Sequence, residues 1–103
     1  MAPADVIVLP LFEKDGMGIA ARELNSQINR IKGVKCLIDS SKSIGRRYAR
    51  ADEIGVPWAI TVDHQTLEDS TVTIRRRDDQ KQIRANIEQL LILINSNAVS
   101  TLF

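Results

Sequence analysis

Three short apolar runs constrain this chain most: VIVLPLF at 6–12, VKCLID at 34–39 and WAITV at 58–62. Each has the length and the β-branched or aromatic character of a buried strand. Between the first two, Met17, Ala20, Ala21, Leu24, Ile28 and Ile31 recur at helical spacing. Arg22, Glu23, Gln27 and Arg30 fall on the other side, and Gly33 is a stop. Between the second and third, Ile44, Tyr48, Ala51 and Ile54 form another helical stripe, capped by Ser43 and closed by Gly55 and Pro57. Strands that alternate with helices imply parallel neighbours joined by right-handed crossovers.

The rhythm changes after Val62. Residues 63–70 read as a polar connection. TVTIRRR at 71–77 alternates, with Val72 and Ile74 facing one way and Thr71, Thr73, Arg75 and Arg77 the other. Asp78, Asp79 and Gln80 make a turn, and KQIRA adds a short fifth strand. Ile87, Leu90, Leu91 and Ile94 mark a helix over 86–95, whereas AVSTLF at the end has no strong pattern. A hairpin after the third strand makes the sheet mixed. The expected fold is α/β, a mixed sheet of about five strands surrounded by three helices. With 103 residues the chain supplies one domain and one small core. Residues 1–5 and 96–103 are expected as tails.

Little in the sequence supports catalysis. His64 is the only histidine, in a polar stretch beside Asp63, and a lone histidine with no partner at useful spacing has no mechanism. Cys36 is the only cysteine and sits in an apolar run, the setting of a buried, inert thiol. It excludes an intrachain disulfide and fits a reducing compartment, so the expected location is cytoplasmic, with a mitochondrial form as the alternative. No Cys/His cluster has metal-ligand spacing, and Glu68, Asp69, Asp78 and Asp79 do not follow a calcium-loop pattern. KDGMG at 14–18 joins a strand to a helix start, as a phosphate loop would, but lacks the glycine fingerprint and the Gly-Lys-Ser/Thr ending. No apolar run is long enough to span a membrane, and MAPAD is no signal peptide.

The charge distribution says more. The formal net charge is only +1, yet Lys42, Arg46, Arg47 and Arg50 cluster without an acid between 40 and 51, and Arg75, Arg76 and Arg77 follow one another. From the residues alone two readings of the helix arginines stand: a solvated face partly paired with Asp52 or Glu53, or a surface for phosphates. Tyr48 and Trp58 could stack on bases, but one falls on an apolar helix stripe and the other opens a strand, so core packing is the expected role of both.

VLPL, DSSKSIGRRYARADEIGVPWAITVDHQTLED, TVTIRRRDD and QIR resemble the C-terminal anticodon-binding domain of glycyl-tRNA synthetases, of the eukaryotic and archaeal type. The resemblance runs from about Val6 to Ile94. The wider family is the anticodon-binding domain of class IIa synthetases, shared with the threonyl, prolyl and histidyl enzymes. The resemblance implies a non-catalytic domain that binds the anticodon stem and loop of glycine tRNA. It also implies an N-terminal class II catalytic domain that uses ATP and Mg in a homodimeric parent enzyme, so the chain is expected to be a piece of a longer protein. Ser41, Lys42, Thr66, Glu68 and Arg75 fall where threonyl relatives read bases, and Arg77 shares the strand face of Arg75. Arg46, Arg47 and Arg50 fit the glycyl pattern itself, as phosphate ligands on an exposed helix face. Arginine suits both tasks, because its planar fork meets phosphate oxygens or a guanine edge with two hydrogen bonds. The alternatives are an accessory or protein-interaction module of the same fold, such as the mitochondrial DNA polymerase accessory subunit, and a small-molecule domain using Gly16 to Gly18.

Overall fold

The computed structural model describes residues 4–11, 16–39 and 55–103. Five strands form one sheet in the order β2-β1-β3-β4-β5. In chain order β1 (Val6–Pro10) is followed by α1 (Met17–Asn29), β2 (Cys36–Ile38) and β3 (Trp58–Val62). Then come α2 (His64–Asp69), β4 (Thr71–Arg76), β5 (Gln82–Asn86), α3 (Ile87–Asn95) and a 3-10 turn (Val99–Leu102). β1 lies parallel to both β2 and β3, β3 is antiparallel to β4, and β4 to β5. This is the mixed five-stranded α/β sheet that the strand–helix rhythm calls for, with three α-helices among the described residues. The helix expected after Ser43, with Ile44, Tyr48, Ala51 and Ile54, lies outside the described residues.

Period-two alternation sorts the sheet. Val6, Val8, Ile60, Val62, Val72, Ile74 and Ala85 face α1 and α3, and pack on Met17, Ala21, Leu24, Ile28, Leu90 and Ile94. On the other face Ile7, Leu9 and Ala59 form a second cluster with Ala4 and Val56. β1 and β3 are therefore buried on both sides, which is why they read as continuous apolar runs. α1 is tied to β2 by the Asn29 side chain. Its Oδ1 accepts from the Cys36 N–H (2.8 Å) and its amide donates to the Cys36 carbonyl (3.0 Å).

Two stretches differ from the sequence expectation. Residues 63–70 are not a plain connection: they hold α2. Asp63 caps it, accepting from the Thr66 N–H at 3.2 Å, while the Thr66 hydroxyl accepts from the Asp63 N–H at 3.1 Å. This reciprocal capping box pairs donors that a six-residue helix would otherwise leave open. Ser70, at φ 59°, then turns the chain into β4. The patternless C-terminal segment also packs. Val99 is buried, and the Phe103 ring lies 5.6 Å from that of Trp58.

Candidate nucleic-acid interface

The sheet has two ends, and the candidate residues divide between them. At the carboxyl ends of the parallel strands, the Asp39 N–H donates to Val8 (3.1 Å) and the Leu11 N–H to Val62 (2.8 Å). Asp63 and α2 start from the same end. At the other end the Arg77 N–H donates to the Pro57 carbonyl at 3.0 Å. Ser41, Lys42, Arg46, Arg47 and Arg50 lie outside the described residues. The chain enters their segment after Asp39 and returns at Gly55 and Pro57, so it leaves the sheet at the end that holds α2 and rejoins it at the end that holds Arg77.

Thr66 and Glu68 both sit on α2 but in different settings. Thr66 is 5 % exposed, and its hydroxyl is engaged with Asp63 in the cap. Glu68 is exposed. Arg75 lies mid-sheet, between Ala59 and Gln82 in the register, and only 8 % of it is exposed. Arg77 is exposed just beyond the end of β4. Alternation does place Arg75 opposite Val72 and Ile74, as the sequence indicates. However, the three arginines at 75–77 do not form one exposed patch.

Arg76 points to the other face and is committed to the fold. Its Nε donates to Asp79 at 3.0 Å, and its guanidinium carbon lies 4.7 Å from the centre of the Phe103 ring. The Arg76 hydrogen bonds hold the Asp79 carboxyl far below the usual carboxylate range. The same contact raises the affinity of Arg76 for its proton. On α2, the Thr71 side-chain hydrogen bond, followed by that of Gln65, lowers the pKa of Asp69. Both acids therefore stay charged at neutral pH.

One pair escaped the sequence reading. Arg84 on β5 donates through Nη2 to both oxygens of Asp63, at 2.7 and 2.6 Å. Its Nη1 approaches the Thr73 hydroxyl at 3.5 Å. The side chains keep 27 % and 24 % of their surface exposed. Arg84 faces Thr73 in the β4–β5 register, on the face that also carries Gln82 and Asn86. Alternation in QIRAN, counted back across the Asp78–Gln80 turn, is the signal that finds it.

His64, Cys36 and the glycines at the start of α1 stand in three different settings. His64 is exposed at the start of α2, and among the described residues no group of three or more His, Cys, Asp or Glu is placed to hold a metal ion. Burial pushes the Cys36 thiol up to about 12, so it is an inert core group at neutral pH. Gly16 stands at φ 87°, in the left-handed region, which explains the glycine before α1 without a ligand. Met17 and Gly18 in the first turn of α1 are buried. No helix among the described residues is long and apolar enough to cross a membrane.

Known proteins share both the sequence and the fold. A glycine–tRNA ligase from Methanothermobacter thermautotrophicus is 55 % identical over 88 % of this chain, and one from Methanocaldococcus jannaschii is 52 % identical over the same share. The chain spans only 16 % of the length of each. Among solved structures, the RNA-binding domain of threonyl-tRNA synthetase from Cryptosporidium parvum superimposes with a TM-score of 0.81 at 23 % identity, over 91 % of this chain and 23 % of that one. Prolyl-tRNA synthetase from the same organism gives 0.75 at 20 % identity, over 96 % of this chain and 23 % of that one. Residues 5–97, a span that holds all five strands and α1 to α3, match the family described as the anticodon binding domain, and the chain belongs to that family.

Proposed function

We propose that this chain is the anticodon-binding domain of a glycine–tRNA ligase and that it holds the anticodon arm of glycine tRNA. The observation that carries this reading is the 55 % identity to such a ligase across 88 % of the chain. In this reading aminoacylation belongs to the rest of a longer protein, in which a catalytic domain uses ATP and magnesium. A homodimeric parent and a cytoplasmic location go with it. Lys42, Arg46, Arg47 and Arg50 supply positive charge for phosphates, with Ser41 beside them, and Arg77 adds a cation at the end of the sheet where that segment returns. Glu68 offers an exposed carboxylate, which accepts from base amino groups and cannot serve phosphates.

The test is a binding titration of the protein with glycine tRNA and with the same tRNA carrying a substituted anticodon, over a series of salt concentrations. Glycine tRNA is expected to bind more tightly, by about 1–3 kcal/mol per changed base that is read directly. Affinity should fall steeply with salt, by a slope of about 0.7–0.9 per phosphate contact. Equal binding of the two tRNAs at every salt concentration would refute anticodon recognition.

A further inference from the structure

The pair Asp63 and Arg84 has more capacity for hydrogen bonding than the fold uses. Arg84 carries five N–H groups. Nη2 spends its hydrogens on Asp63, and Nη1 reaches Thr73 only at 3.5 Å. The Nε–H and one Nη1–H have no partner among the described residues. Asp63 is likewise part-used. Its Oδ1 takes the Thr66 N–H, the Thr66 hydroxyl and Arg84, whereas Oδ2 takes Arg84 alone. About a quarter of each side chain remains exposed. A donor and an acceptor thus stand side by side at the surface, each held in place by the other.

Their surroundings decide what they can bind. The pair is neutral as a unit. α2, which starts from Asp63, contributes Glu68 and Asp69 and no lysine or arginine. A phosphate here would meet Arg84, already matched by a carboxylate, with Arg75 of the same face only 8 % exposed and two further acids on the next element. A base edge has no such conflict, since it presents donors and acceptors without net charge. The face is also open on the side of β5, where Gln82 and Asn86 are exposed in alternation with Arg84. An unpaired loop base can lie edge-on there, as bases in single-stranded RNA loops do when proteins read them.

Resting on the function proposed above, we infer that Asp63 and Arg84 form a base-reading pair for the anticodon loop: Arg84 donates to an acceptor of one base while Asp63 Oδ2 accepts from the neighbouring donor of the same base. The pair adds specificity and contributes nothing to the phosphate-dependent part of binding. It joins α2 to the β4–β5 ribbon, so the two elements read as one surface.

The test compares Arg84→Gln and Asp63→Asn in the same two-tRNA titration, with thermal melting as a control for folding. Asp63→Asn keeps a good helix cap through Oδ1 and exchanges Oδ2, the acceptor offered to the base, for an amide that only donates, so it remains informative if Arg84→Gln folds poorly. The expected result is that both variants narrow the preference for glycine tRNA by about tenfold or more, with the salt slope unchanged. Equal weakening toward both tRNAs, with a slope flatter by about 0.7–0.9, would make Arg84 a phosphate ligand and overturn the inference. An unchanged preference would overturn it too and leave the pair as a structural tie. These two outcomes are distinct from failure of the proposed function, in which the unsubstituted protein itself does not separate the two tRNAs.

Discussion

Arg75 and Arg77 stand two positions apart on the same side of β4 and its extension, and their environments set different roles. Arg75 is 8 % exposed beside Ala59, so its truncation removes buried contacts as well as a charge. Arg77 is exposed. Arg75→Ala is expected to lower stability by about 1–3 kcal/mol, and Arg77→Ala by no more than about 0.5 kcal/mol. Urea midpoints for the two variants check this, and equal midpoints would contradict the burial of Arg75. The facing of Arg75 was legible in the sequence, because Val72 and Ile74 fix the alternation. Its burial was not, because that depends on the register that sets it between Ala59 of β3 and Gln82 of β5. Arg84 was hidden for a similar reason: its partner lies across two strands and becomes a neighbour only when the hairpin register is known.

α2 shows what is lost when an element is too short for periodicity. Six residues give no hydrophobic repeat, and the run of polar groups reads as a loop. The spacing of Asp63 and Thr66 was nevertheless a capping signal available in the sequence. Asp63→Ala removes both the cap and the ion pair, and the expected loss is about 1–2 kcal/mol. Asp63→Asn keeps the cap, and the loss should stay under about 1 kcal/mol. Denaturant unfolding of the two variants measures the difference. If alanine and asparagine cost the same, the cap contributes nothing. By contrast, β3 was read to the residue, because WAITV is apolar throughout and bounded by Pro57 and Asp63.

Across the whole molecule, the last residues return to the start of β3. Phe103 packs on Trp58 and under Arg76, which Asp79 holds from the other side. Trp58 is the only tryptophan, so its emission reports this contact. Phe103→Ala should shift that emission to the red and cost about 1 kcal/mol, the scale of one aromatic pair with a cation–π contact. Unchanged emission would mean that the ring does not shield Trp58 in solution. AVSTLF gave little hint of this: Val99, Leu102 and Phe103 stand at helical spacing, but a single turn is too short for periodicity to show.

The central place of β1 has a consequence for how the domain is made. β1 leaves the ribosome before the other four strands of the sheet, yet one neighbour, β3, begins about fifty residues later, with Val6 paired to Trp58. At translation speeds of about 5–20 residues per second, VIVLP, an uncharged apolar segment, waits for some seconds with its β3 edge unpaired. β4, β5 and α3, by contrast, are close in sequence and can assemble as soon as they emerge. The sheet is thus closed where β3 meets β1, and any factor that shelters a nascent chain has its target in the waiting edge of those five residues.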